Sequence, residues 1–188
     1  NVEMNKSGKT DGFDDFVYVG RLENFVEISS DWSLLLGGST ALGQSPYVPD
    51  NRSSLFGGDM TVKWRPSNRG GEVWFKLTVE GMLRQTQIPK DSAQDWGGYA
   101  QLDVQMARQW MMGLRGDYAD LLNKTEAVTG IFGGRETRGA LSLTFAPTHF
   151  SKIRLQGDVL SSETSSELSY GGFLQVEVSA GAHTAHGF

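Results

Sequence analysis

The stretch VWFKLTVEGMLR, residues 73–84, restricts the fold more than any other part of the chain. Its odd positions are Val73, Phe75, Leu77, Val79, Gly81 and Leu83; its even positions are Trp74, Lys76, Thr78, Glu80, Met82 and Arg84. One set is almost wholly apolar and the other is charged or mixed. A repeat of two over this length places the sets on opposite sides of an extended strand, whereas a helix would repeat every three to four residues.

The same alternation recurs along the chain. Tyr18, Leu22 and Val26 oppose Arg21, Glu23 and Glu27; Trp32, Leu34 and Leu36 oppose small residues; Phe56, Met60, Val62 and Trp64 oppose Asp59 and Lys63. Further on, Trp96, Leu102 and Val104 oppose Gln101 and Asp103; Trp110, Met112, Leu114 and Tyr118 oppose Arg115 and Asp117. Leu141, Leu143 and Phe145 oppose Arg138; Ile153, Leu155 and Val159 oppose Lys152, Arg154 and Asp158; Leu174, Val176 and Val178 oppose Glu177. The pattern predicts an all-β chain of about eight to ten antiparallel strands, each roughly ten residues long, the length a tilted strand needs to cross a bilayer. A polar segment, 1–14, precedes a strand region, 15–188.

Two architectures share this pattern. A soluble sandwich or lipid-binding barrel turns its apolar face inward; an up-and-down transmembrane barrel turns it outward around a hydrated lumen. Strand length, charge in register on one face, and aromatic residues at strand ends favour the membrane. The expected interface aromatics are Trp32, Trp64, Trp96, Trp110, Tyr118 and Phe188. The expected lumen-facing charges are Arg21, Glu23, Asp59, Lys63, Lys76, Glu80, Arg84, Asp103, Arg115, Asp117, Arg138, Arg154, Asp158 and Glu177. Bases and acids are nearly balanced there, which predicts weak ion selectivity or ion pairing between neighbouring strands.

Composition removes other classes. A net charge of -5 argues against nucleic acid as a partner, and the absence of cysteine excludes disulfides, thiolate metal sites and a cysteine nucleophile. The 24 glycines suit tight turns and strands rather than a helical bundle. No serine sits in a GxSxG elbow and no glycine-rich loop joins a strand to a helix, so neither an enzyme nor a nucleotide cofactor is expected. His183 and His186 could suggest a metal, but residues three apart in a strand point to opposite faces, so that site would need a frayed end.

Connections are expected to alternate, short at 29–31, 66–71, 107–109 and 147–149 and long at 43–54, 85–95, 119–136 and 161–169. Outer-membrane barrels put short turns in the periplasm and long loops outside, which places the C-terminus in the periplasm. Counting back, the first strand then begins on the outer side. The odd count leads us to expect the C-terminal part of a larger barrel.

The stretches GRLENFVEISSDWSLLLGGSTAL, GGDMTVKWRP and WGGYAQLDVQMARQWMMGLRGDY, with the ending GAHTAHGF, resemble the C-terminal portion of Gram-negative outer-membrane β-barrels, in particular proteobacterial porin-like proteins, some of them zinc-regulated outer-membrane receptors. The resemblance implies a bacterial outer-membrane porin or passive channel. It implies contact with lipid bilayer and lipopolysaccharide, and possible other outer-membrane subunits. A terminal aromatic such as Phe188 is similar to the signal read by the barrel-assembly machinery, although His186 departs from the usual apolar companion. Two alternatives stand beside the channel: a structural barrel with a side-chain-filled lumen, and a soluble lipid-binding barrel.

Overall fold

The computed structural model describes residues 16–44, 51–69, 73–88, 91–121, 134–148 and 150–179. They form nine strands: β1 Tyr18–Glu27, β2 Trp32–Gln44, β3 Arg52–Trp64, β4 Trp74–Ile88, β5 Asp91–Ala107, β6 Trp110–Leu121, β7 Gly134–Thr148, β8 Ser151–Ser162 and β9 Ser165–Val178. A single 3-10 turn, Ser67–Arg69, is the one helical element among the described residues. No described helix is long and apolar enough to cross a membrane, which bears only on helices.

All nine strands lie in one antiparallel sheet in sequence order, each paired with its neighbours in the chain. The sheet is open: β1 and β9 are its edges. Both edge strands are exposed along nearly their whole length.

The register carries the alternation across the middle of the sheet and shifts only near strand ends, between Gln105 and Ala107, Phe145 and Thr148, and Leu160 and Ser162. Leu34 pairs with Val62, Val62 with Leu77, Leu77 with Leu102, Leu102 with Leu114, Leu114 with Leu141. Because strand side chains alternate, this fixes one apolar face and one polar face over the whole width. The polar face carries all fourteen charged residues expected to share a face.

The two faces differ in exposure in the direction opposite to a water-soluble core. Ala93 is the one buried hydrophobic residue among those described, whereas Ser53, Thr86, Asp95, Asp103, Ser142 and Thr144 are buried. Leu22, Leu114, Leu141, Leu155 and Leu174 are exposed. A flat sheet would expose both faces alike, so the sheet curls toward its polar side. Right-handed twist and coiling of a long antiparallel sheet supply that curvature.

The connections differ from the expected alternation. β4 and β5 extend to Ile88 and Asp91, so only residues 89–90 join them, and only Glu163 and Thr164 join β8 to β9. The stretches 85–95 and 161–169 are therefore hairpin ends and not long loops. Their polar residues read as loop because hydropathy stops at Leu83 and Trp96, while backbone pairing continues through Gln85↔Gln94 and Thr86↔Ala93. In the other direction, β3 and β4 are separated by residues 65–73, longer than a tight turn. β1 spans the expected ten residues, and the other strands run longer, from 12 to 17.

At the rim where β1 meets β2, Asp31 ties two turns together. Its carbonyl accepts the Arg65 N–H at 2.8 Å and its carboxylate accepts the Ser67 N–H at 3.0 Å. That second bond holds the Asp31 carboxyl below the usual aspartate range.

Candidate functional site: the ion-paired polar face

On the polar face, bases and acids meet mainly between neighbouring strands. Lys76 on β4 lies 3.4 Å from Asp103 on β5, and Arg138 on β7 lies 3.2 Å from Asp158 on β8. Lys152 on β8 lies 2.9 Å from Glu177 on β9. Arg84 on β4 holds Asp95 on β5 through both its Nε, at 2.8 Å, and its Nη2. These contacts follow from register: Lys76↔Asp103, Arg84↔Asp95 and Lys152↔Glu177 are directly opposed residues. Directly opposed unlike charges are the favourable arrangement in a sheet.

Other contacts run along a strand or across one. Arg115 donates to Asp117 at 2.6 Å and to Gln101 at 3.3 Å, and its guanidinium stacks 3.7 Å from the centre of the Tyr99 ring. Gln101 in turn donates to Asp103 at 3.0 Å. Arg154 donates to Ser142 at 3.0 Å. Arg21 on β1 pairs with Glu23 at 2.6 Å, and reaches over β2 to Asp59 on β3 at 2.9 Å.

Glycine makes the reach over β2 possible. Gly37 is the β2 partner of Asp59, and a Cβ there would fall onto the Asp59 carboxylate. The device recurs. A Cβ at Gly113 would meet Ser142 Oγ at 2.6 Å and Asp103 Oδ1 at 3.0 Å; one at Gly171 would meet Asp158 Oδ2 at 2.9 Å. Each of these aspartates lies in a slot left by a glycine on the adjacent strand. By contrast, Gly38, on the apolar face beside Gly37, has nothing within 4 Å of its would-be Cβ.

Two like-charge pairs interrupt the pattern. Asp59 opposes Glu80, and two pleats further along the same strands Lys63 opposes Lys76. Opposed like charges are unfavourable by themselves. Arg21 relieves Asp59, Asp103 relieves Lys76, and Glu80 lies directly opposite Tyr99 on β5. Lys63 has no ion pair among the described residues. A recess of about 560 Å³ lies on this face, its lining including Glu80, Tyr99, Asp117, Glu136, Arg138 and Asp158.

The exposed apolar face carries aromatics toward both ends of the strands. Trp32, Trp64 and Phe75 cluster at one end with ring centres 5.5 to 6.3 Å apart, and Trp110 stacks on Phe145 at 4.7 Å at the same end. Trp96 stacks on Tyr118 at 4.7 Å toward the other end. Five of the six expected interface aromatics thus lie on the exposed face in two bands. The sixth, Phe188, lies outside the described residues, as do His149, His183 and His186. β9 ends at Val178, so the expected continuation of the strand to the terminus also falls outside them. Among the described residues no group of three or more histidine or acidic side chains is placed to hold a metal ion.

Sequence reasoning placed every base of the polar network except Lys152 among the expected site residues, but not all their partners. Asp95, Tyr99, Gln101 and Ser142 went unassigned as site residues. Asp95 was legible in principle: it lies eight residues before Asp103, an even spacing, so both share a face. No family model, no curated protein and no solved structure matches this chain.

Proposed function

We propose that the nine strands form wall of a transmembrane β-barrel in the bacterial outer membrane, a porin or passive channel for small hydrophilic solutes or ions. The observation that carries this reading is the inverted polarity of the sheet: leucines exposed, aspartates sheltered. In water that arrangement leaves a continuous apolar sheet face uncovered, far beyond the patch a soluble monomer tolerates. In a bilayer it is the arrangement the solvent demands.

The aromatic bands support the same reading. Trp110 and Tyr118 on β6 face the apolar side eight residues apart. At ~3.3 Å per residue that is ~26 Å along the strand. Tilted by ~40°, it spans ~20 Å along the membrane normal, close to the ~25 Å apolar band of outer-membrane barrels. The outer surface would meet lipid and lipopolysaccharide. The end of β9 lies at the rim of the turns 28–31 and 108–109, opposite the longest connection, 122–133, which supports a periplasmic C-terminus and delivery through the barrel-assembly machinery.

Pairing within the wall, instead of across it, supports an open lumen, because paired side chains lie along the sheet. Single-channel recording in planar bilayers tests this. Discrete conductance steps are expected; folded, membrane-embedded protein without them points to the second reading, a structural barrel or partner subunit whose ion-pair network fills the interior. Protein that stays soluble without detergent overturns both.

A further inference from the structure

The recess on the polar face has a floor built by register. Met82, Gly97, Ala119 and Glu136 stand in one row across β4, β5, β6 and β7. The two smallest members of the row are neighbours, so the wall carries no bulk there, and the space of about 560 Å³ lies over them. In the next row, Glu80, Tyr99, Asp117 and Arg138 stand side by side. Asp158 on β8 completes the polar lining, diagonal to Arg138, whose direct partner is Leu160.

Four carboxylates thus meet one guanidinium around the recess, although acids and bases nearly balance over the face as a whole. Composition averages over the face, whereas register gathers the acids at one level. Arg115 holds Asp117, and Arg138 faces Asp158. Glu80 and Glu136 make no ion pair among the described residues, so their charge is left to act on the lumen.

Two shielded atoms of the lining also lack hydrogen-bond partners. The Asp158 side chain is only 10 % exposed, and its Oδ1 accepts no hydrogen bond, although Arg138 Nη2 stands 3.2 Å away. Arg138 Nε, equally hidden from solvent, has no acceptor. Buried polar atoms are normally satisfied, and leaving them unmade is costly. A neighbouring acceptor and donor of this kind call for a ligand that supplies the complementary pair.

Resting on the channel reading above, we infer that the recess is a subsite for a small organic cation. Its ammonium group donates to Asp158 Oδ1, and a hydroxyl or carbonyl oxygen beside it accepts from Arg138 Nε. The volume is within the range of small-molecule sites. The unpaired Glu80 and Glu136 attract the cation and repel a ligand carboxylate, which selects amines over amino acids and anions. A bare metal ion is the poorer match, because among the described residues no three acidic or histidine side chains are placed to hold one.

The test uses the full-length protein in planar bilayers, with ethanolammonium chloride and propylammonium chloride as probes. The two cations are similar in size, and only the first carries an oxygen. In ~0.1 M salt, cation permeability is expected to exceed that of chloride by about threefold or more. Current should reach half-saturation at a roughly threefold to tenfold lower concentration of ethanolammonium than of propylammonium, the scale of one hydrogen bond. Glu80→Gln with Glu136→Gln should bring the permeability ratio toward one. Asp158→Ala should raise both half-saturation concentrations by roughly tenfold, the scale of a charge-assisted bond. Ala119→Leu fills the floor without touching an ion pair and should do the same, which keeps the test intact if Asp158→Ala fails to fold. A permeability ratio at or below one, equal half-saturation for the two amines, or values that neither Asp158→Ala nor Ala119→Leu moves overturns the inference and leaves the channel standing. Folded, membrane-embedded protein without conductance steps overturns both.

Discussion

Replacing Leu114 with arginine separates a lipid-facing sheet from a water-facing one. Leu114 is 56 % exposed on the apolar face of β6, midway between Trp110 and Tyr118. On the membrane reading it lies ~10 Å from either aromatic band, from the ~3.3 Å rise and a ~40° tilt. Arginine at the hydrocarbon midplane of a barrel costs about 2–4 kcal/mol, against about 0–1 kcal/mol near the interface. A loss of 2 kcal/mol lowers the folding equilibrium constant by a factor of roughly 30. In water the same exposed substitution would change stability by no more than about 0.5 kcal/mol. The assay is reversible guanidinium unfolding from phosphocholine vesicles, with Tyr118→Arg as the interfacial control. Leu114→Arg should be the less stable of the two by about 2 kcal/mol. Equal stabilities, or a Leu114→Arg protein indistinguishable from the parent, would refute the argument from inverted polarity.

Other substitutions test the polar face. Gly37→Ala should displace the Asp59 carboxylate and break its contact with Arg21, costing about 1–3 kcal/mol in the same unfolding assay, while Gly38→Ala should stay within about 0.5 kcal/mol. A double-mutant cycle between Arg84→Met and Asp95→Ala should return a coupling of at least about 1 kcal/mol, the value expected of a sheltered charge-assisted contact. Lys63→Glu should shift the zero-current potential across a salt gradient toward cations, because Lys63 contributes positive charge with no ion-pair partner among the described residues. At the rim, the Asp31 carboxyl is held below its ordinary range, so its bond to the Ser67 amide is fully present above the usual aspartate pKa and is lost as pH falls through the lower folded-state value. Amide exchange at Ser67 should speed up over that acidic window, and Asp31→Asn should flatten the dependence.

How much was visible in the residues themselves depended on what reports it. Face assignment needs only parity, and parity survives error in strand ends. Lys76, Glu80 and Arg84 are therefore on the face that alternation assigned them. Strand ends depend on hydropathy, which fails where a hairpin rises beyond the apolar band. QTQIPKDSAQD reads as loop, yet Gln85, Thr86 and Gln87 pair with Gln94, Ala93 and Ser92. Pairing partners depend on register between strands, which a single sequence encodes only through turn length. Arg84 could thus be named while its partner Asp95 was left in a supposed loop. The glycine slots were invisible for the same reason: Gly37 and Asp59 become neighbours only once β2 and β3 are aligned.

Those slots bear on how such a sheet avoids assembling wrongly. On the membrane reading, a strand that slips by one residue turns its charges into lipid and is rejected by solvation alone. A slip of two residues preserves every inward and outward assignment, so hydropathy cannot detect it. It would bring Asp59 opposite Leu35 or Ser39 instead of Gly37, and would set a carboxylate against a side chain where the native pairing leaves a gap. Glycine here acts as a key cut, proofreading the one class of misalignment that preserves both faces of the sheet and so escapes solvation.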